Sequence, residues 1–358
     1  MTSTIELNKL KISISGASHS PEISAECDGL PKGETFDRDK IQAFLSRRAP
    51  GKAKYATARK EPDIAEYLSG VDGNTLDGNH FKAIIRNTNT RSGDYENVRD
   101  VPRPAHADFP AQIKYGASRE VAGGGHFSGR MTAPLCIIGG ICKQLLEKEG
   151  VKIAAHIYRI KDVCDTPYNP INPCLDNLSD FSTLSEEASK KMQEVIEEAR
   201  KNADSVGGII ECAATGLKVG IGEHMFYGLE ADISRIVFAV PAVKGIEFGA
   251  GFSVADMYGS ENNDAFYYDG DKIKTKTNNH GGILGGMASG MPLIFRAAIK
   301  PTPSIGKEQD SISFSKKENT KLIISGRHDP CILPRAVPVI EAACAIALYD
   351  AYLSEKDR

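Results

Sequence analysis

Residues 135–160, LCIIGGICKQLLEKEGVKIAAHIYRI, change character at Gly150, and the change sets the fold class. Up to Gly150 the stretch is apolar on most sides, which predicts a buried helix that the glycine ends. VKIAAHIYRI beyond it reads as a strand. Toward the N-terminus, Leu10, Ile12 and Ile14 alternate with Lys11, Ser13 and Ser15, the period of a half-buried strand that runs into GASHS. Asp37 caps a predicted helix through RDKIQAFLSRR, which Pro50-Gly51 stops. Toward the C-terminus, Thr183 and Glu186 form a capping box before a helix with the stripe Ala188, Met192, Val195, Ile196 and Ala199. SVGGIIECAATG and SRIVFAVPAV read as strands, FYYDGDKIKT as a hairpin turning at Asp269-Gly270, and AVPVIEAACAIALYDAYL as a mostly buried helix. Helices and strands interleave without strict βαβ alternation. The expectation is an α+β layered fold, with residues 1–358 as a single domain, since no repeat or Pro/Ser-rich linker divides them.

Composition narrows the function. Hydrophobic content of 41% and charged content of 25% are those of a soluble globular protein. A net charge of −3 gives no reason to expect nucleic acid or an anionic membrane as a partner. Eight scattered cysteines without a Cys-x-x-Cys pair argue against a zinc site or a disulfide framework and fit a reducing compartment. The polar N-terminus lacks the apolar core of a signal peptide, and no apolar run approaches the roughly 18 residues of a membrane span. A cytoplasmic location, with no metal and no membrane partner, is expected.

Three glycine-rich stretches carry the chemistry. VAGGGHFSGRMTAP places Gly124 and Gly129 at P-loop spacing, but Arg130 and Met131 stand where a lysine and a Ser/Thr belong, so nucleotide hydrolysis is not supported. Consecutive glycines leave bare backbone, which fits either an anion or aromatic-ring cradle or a tight turn. NNHGGILGGMASGMP and VPAVKGIEFGAGF repeat the theme, and KPTPSIG adds Lys300 with the hydroxyls of Thr302 and Ser304, a phosphate grip. His19 and His106 sit in loops among small residues and prolines, where an imidazole can transfer protons; His80, His156 and His224 read as structural. Asp329 follows His328 on a turn stiffened by Pro330. Arg47, Arg48, Lys52, Lys54, Arg59, Arg103, Arg130, Lys300, Arg327 and Arg335 gather near these stretches, which suggests a polyanionic small substrate.

In this order, GASHS, RRAPGKAKYATARKEPD, RPAHAD, GGGHFSGRMT, DSVGG, VPAVKGIEFGAGF, TNNHGGILGGMASGMP, KPTPSI and GRHDPCILPRAVPVIEA resemble the motifs of the chorismate synthase family over nearly the whole chain. The resemblance implies elimination of phosphate from 5-enolpyruvylshikimate 3-phosphate to give chorismate, dependent on reduced FMN without net redox change. It implies a sandwich of antiparallel β-sheets with helices, assembled as a homotetramer.

By position, His19 resembles the histidine that protonates the departing phosphate, His106 the one that protonates reduced flavin, and Asp329 the carboxylate that helps flavin N5 remove the hydrogen. Arg48, Lys54, Arg130 and Arg335 fall where substrate anions are held. FMN contacts fall on His126, Phe127, Ser128, Pro241, Ala242, Gly285, Lys300, Pro301, Thr302, Pro303, Ser304 and Arg327. The chain departs from the family pattern at Ala17, Ser20, Lys54, His126, Phe127 and Met131; His126 stands where relatives carry a permanent cation. No nicotinamide loop is present, so NADPH is expected to act only indirectly, through an external flavin reductase. The rival readings are a flavin-dependent oxidoreductase acting on a polyanionic small molecule and a phosphate- or nucleotide-binding module.

Overall fold

The computed structural model describes residues 1–50, 61–88, 97–176, 178–324 and 329–356. Two five-stranded antiparallel sheets enclose a helical layer. In the first, Thr2–Glu6, Lys11–Gly16, Glu22–Asp28, Phe81–Arg86 and Ala65–Ser69 are neighbours in that order. In the second the order is Val243–Phe248, Leu293–Ile299, Gly208–Thr215, Lys152–Ile160 and Val163–Cys164. The helix Thr132–Lys148 packs on the first sheet, and the C-terminal helix Leu333–Lys356 packs on the second and on Thr132–Lys148. One buried apolar cluster runs through all these layers. The α+β expectation therefore holds.

The glycine pair of the opening stretch explains how the helices meet. A Cβ on Gly139 would lie 2.3 Å from the Cβ of Ala342, and one on Gly140 would lie 2.9 Å from Ile41 Cδ1. Bare backbone at both positions lets the two central helices and Arg38–Arg48 touch. Gly150, at φ 84°, then turns the chain into Lys152–Ile160. Asp37 caps Arg38–Arg48 as expected, accepting hydrogen bonds from the Asp39 and Lys40 amides.

Four local expectations are corrected. Ser185, not Thr183, caps the helix Glu186–Lys201, accepting from the Ala188 amide, while the Thr183 hydroxyl donates to the Ser185 carbonyl. SRIVFA is not a strand: it belongs to the helix Leu229–Ala239, whose buried Leu229, Ile233, Ile236 and Val237 follow a helical period. The strand that follows is Val243–Phe248. In the hairpin, Asp269 pairs with Lys272, so the turn is Gly270-Asp271. Finally, Leu333–Lys356 is long and apolar enough to cross a membrane, but 94% of its most apolar window is buried inside the protein, as a core helix requires.

Asp350 on the C-terminal helix accepts from the amides of Asn8, Lys9 and Leu10 and ties down the first hairpin. Burial and the charge of Asp350 push the carboxyl of Asp232 up to about 6, and its Oδ2 has no hydrogen-bond partner among the described residues. A raised carboxyl pKa contributes stability below about pH 4 that is lost as pH rises through 6. Asp232→Asn should therefore stabilise the protein by about 1–2 kcal/mol at pH 8 and have little effect at pH 4.5, measured by urea denaturation. An equal effect at both pH values would contradict this.

Both central helices start at one end of the sandwich, where Arg38–Arg48 ends and Leu293–Ile299 runs out. The chemistry-bearing loops meet there.

Candidate active site

The wall of the site is the triple glycine. Gly123, Gly124 and Gly125 all have positive φ (62°, 96° and 54°), a run open to glycine and strained for residues with a Cβ. A Cβ on Gly123 would lie 2.3 Å from His19 Cε1, and one on Gly124 would lie 3.3 Å from His106 Nε2. The two loop histidines, 87 positions apart in the sequence, thus lie against adjacent glycines. Ser18, fully buried, fixes the first: its hydroxyl donates to the Ala122 carbonyl (2.9 Å) and lies 3.1 Å from His19 Nδ1.

His106 has a different neighbour. Its Nδ1 lies 2.9 Å from Oδ1 of Asp108, a carboxylate only 4% exposed that Arg103 grips through its backbone amide, Nε and Nη2. Burial would raise the Asp108 pKa, but the hydrogen bonds and charges of Arg103 and His106 hold it well below the ordinary carboxylate range. Arg103 also reaches the Ser304 hydroxyl at 3.4 Å.

From His106 a ring of polar contacts and short chain segments leads round the site to His19. Lys300 Nζ donates to the Ala105 carbonyl (2.5 Å), and its amide donates to the Ala242 carbonyl (3.0 Å). Ala105 (φ 58°) and Ala242 (φ 75°) are both in the left-handed region without being glycine, so backbone strain collects around this lysine. Partial burial and the charge of Lys244 lower the Lys300 pKa. The Thr302 hydroxyl donates to the Asp329 carbonyl, the Asp329 carboxylate pairs with Arg335, and Arg335 Nε donates to the Arg48 carbonyl. Arg48 and Arg130 then share Asp63 between them. Arg130 donates to Asn87 Oδ1, and Asn87 donates to the Ala17 and Ser20 carbonyls on either side of His19.

Within this ring Arg48 and Arg130 are not open cations. Arg48 donates to Asp63, Thr132 and the Gly129 carbonyl; Arg130 donates to Asp63, Glu61 and Asn87, and both are buried. Their predicted anion-holding role accordingly meets carboxylates already in place. His126 Nδ1 faces the Gly16 carbonyl at 3.2 Å, with the Glu120 carboxylate at 3.9 Å, so this ring nitrogen looks toward oxygens of the chain itself. Phe127 is 39% exposed beside Tyr115, and the Ser128 hydroxyl accepts from the Arg130 amide. Pro301 and Pro303 flank Thr302 on the segment after Leu293–Ile299, and Pro241 precedes Ala242.

Gly285 is not brought to the ring. It occupies the exposed tip between Ile283–Leu284 and Met287–Ala288, beside the start of Leu229–Ala239. Lys54 and Arg327, like Lys52, Arg59 and His328, lie outside the described residues. Sequence reasoning missed Ser18, Glu61, Asp63, Asn87 and Asp108 as members of the ring. Asp63 and Asp108 stood inside quoted motifs, KEPD and RPAHAD, but only the fold shows the buried arginines that carboxylates must accompany.

Comparison with known proteins shows the family. A family model described as chorismate synthase matches residues 10–353. A chorismate synthase of Lancefieldella parvula is 43% identical over 99% of this chain and 97% of its own length. One from Thermococcus kodakarensis is 42% identical over 97% of each. A crystal structure of chorismate synthase superposes with a TM-score of 0.75 at 25% identity, covering 98% of this chain and 93% of that one.

Proposed function

The chain belongs to the chorismate synthase family, and from that premise we propose how its polar ring carries out the family's reaction. The enzyme is a lyase of the shikimate pathway, which leads to the aromatic amino acids. It eliminates phosphate from 5-enolpyruvylshikimate 3-phosphate to give chorismate. One observation carries the assignment of roles: two imidazoles lie against adjacent bare glycines, on a ring that also contains the Asp329 carboxylate.

The residues fit a flavin. The Gly123–Gly125 wall would be filled by any Cβ, the Phe127 ring is available beside it, and Lys300 and Ser304 supply donors for a phosphate. His126, Phe127, Ser128, Pro241, Ala242 and residues 300–304 would hold FMN, with Arg327 as a further cation. When bound, reduced FMN supplies an electron-rich ring that assists hydrogen removal without net redox change. His19, held by Ser18, delivers a proton to the departing phosphate as the carbon–oxygen bond breaks. Asp329, oriented by Arg335, takes up the proton released from carbon 6. His106 exchanges a proton through the nitrogen that faces Gly124. Arg335 and Lys54 attract the substrate anions, with Arg48 and Arg130, paired with Asp63 and Glu61, buttressing the wall behind them.

In this reading residues 1–358 are one catalytic unit in the cytoplasm, working as a homotetramer supplied by an external flavin reductase. Met225, Phe226, Phe252, Tyr258, Phe266 and Tyr268 are all strongly exposed, and apolar surface of this extent favours burial between subunits. Gly285, on the same stretch of chain, would then reach a flavin only in the assembled protein. Anaerobic turnover with dithionite-reduced FMN, compared with FMN plus NADPH, tests the reading. Many chorismates should form per reduced FMN, and NADPH alone should not sustain turnover. Equimolar consumption of reduced flavin would instead identify an oxidoreductase.

A further inference from the structure

We propose that Asp108 is a positioning residue that fixes which nitrogen of His106 exchanges protons. The inference rests on the role given above to His106. Asp108 begins the helix Asp108–Tyr115, two residues past the histidine, and its carboxylate is buried with a full set of neighbours. Oδ2 accepts from the Arg103 amide (3.0 Å) and Nε (2.6 Å). Oδ1 accepts from Arg103 Nη2 (2.9 Å), lies 3.6 Å from Arg119 Nη1, and faces His106 Nδ1 at 2.9 Å. Arg119 Nη1 also donates to the Asp108 carbonyl (3.1 Å), so the carboxylate cannot swing away without breaking several contacts.

An ionised carboxylate only accepts hydrogen bonds. The hydrogen bonds and charge of Arg103 favour ionised Asp108, so the nitrogen facing it carries a proton. That leaves Nε2 as the atom that gains and loses a proton, and Nε2 is the atom turned to the bare Gly124. The Nδ1–H direction departs from a straight line to Oδ1, and Nδ1 makes no aligned hydrogen bond. Alignment of this kind commonly tightens once the reactants are in place. Through its Nη1 contact with Ser304, Arg103 ties the same unit to the segment proposed to grip phosphate. The alternative is that Asp108 only anchors Arg103 and Arg119, with the histidine beside it by proximity.

The two differ in the tautomer. In wild-type protein labelled with ¹⁵N-histidine, neutral His106 should be protonated at Nδ1. Asp108→Asn, which keeps the shape and can offer a donor, should shift the population toward Nε2–H. With saturating reduced FMN it should lower kcat on the order of 10- to 100-fold while KM stays within about threefold. Finding Nε2–H in the wild type would overturn the proposal even if the variant does not fold. So would a folded Asp108→Asn enzyme with unchanged kcat. His106→Ala separates the failures: if it retains full turnover the role of His106 is wrong, whereas if only Asp108→Asn is silent the positioning role alone is lost.

Discussion

Replacing His19 or His106 with alanine is expected to reduce kcat by on the order of a hundredfold or more while FMN still binds. Each imidazole meets the glycine wall at one edge and has a polar neighbour at another: Ser18 for His19, Asp108 for His106. The Ser18 hydroxyl proton is committed to the Ala122 carbonyl, so its oxygen is the acceptor for His19 Nδ1–H. Nε2 is then the nitrogen that carries the transferable proton. Truncation removes the proton donor but leaves the wall, since Gly123–Gly125 owe their conformation to the backbone and not to the histidines. Flavin affinity, measured by titration, should stay near wild type while steady-state turnover collapses. Wild-type rates in both variants would refute the assignment, and a collapse confined to flavin affinity would make the histidines part of the cradle instead.

The elements legible in the sequence were those whose signal is local. The buried helix 132–148, its glycine stop and the strand after it each follow from residue types within a few positions of one another. Leu229–Ala239 was misread because Ile236 and Val237 favour a strand when viewed alone, and the helical period appears only once Leu229 and Ile233 are included. The same distinction governs the site. His19, His106, Lys300 and Asp329 were visible because each sits in a loop with chemistry suited to it. Their partners were not, because pairing is made by the fold: Asp63 lies 15 positions from Arg48 and 67 from Arg130. A row of arginines read without their carboxylates looks like an empty anion trap. In the folded protein two of them are the cationic half of a buried network.

That network makes Asp63 the position where substitution should cost most stability. Its carboxylate is fully buried, with Arg48 Nη1 at 2.8 Å on one oxygen and Arg130 Nη1 on the other. Burial disfavours all three charges, but the two guanidinium charges outweigh it for Asp63 and hold its pKa below the ordinary value. Removing Asp63 leaves Arg48 without its carboxylate out of water and Arg130 with Glu61 alone, so Asp63→Ala should destabilise the protein by about 3–5 kcal/mol. That is a large share of the roughly 5–15 kcal/mol that keeps a domain folded. Asp63→Asn, which keeps the volume, should recover little, because an amide restores no charge and brings its own donor against a guanidinium. A depressed carboxylate pKa contributes stability that is present above about pH 4 and lost as pH falls through the folded value. The gap between wild type and Asp63→Asn should therefore narrow below pH 4, which urea denaturation at pH 3.5 and 7 would show. A loss under about 1 kcal/mol at pH 7 would mean that Arg48 and Arg130 can turn to solvent or to substrate without Asp63. The anion-holding role expected from the sequence would then be the better account of both.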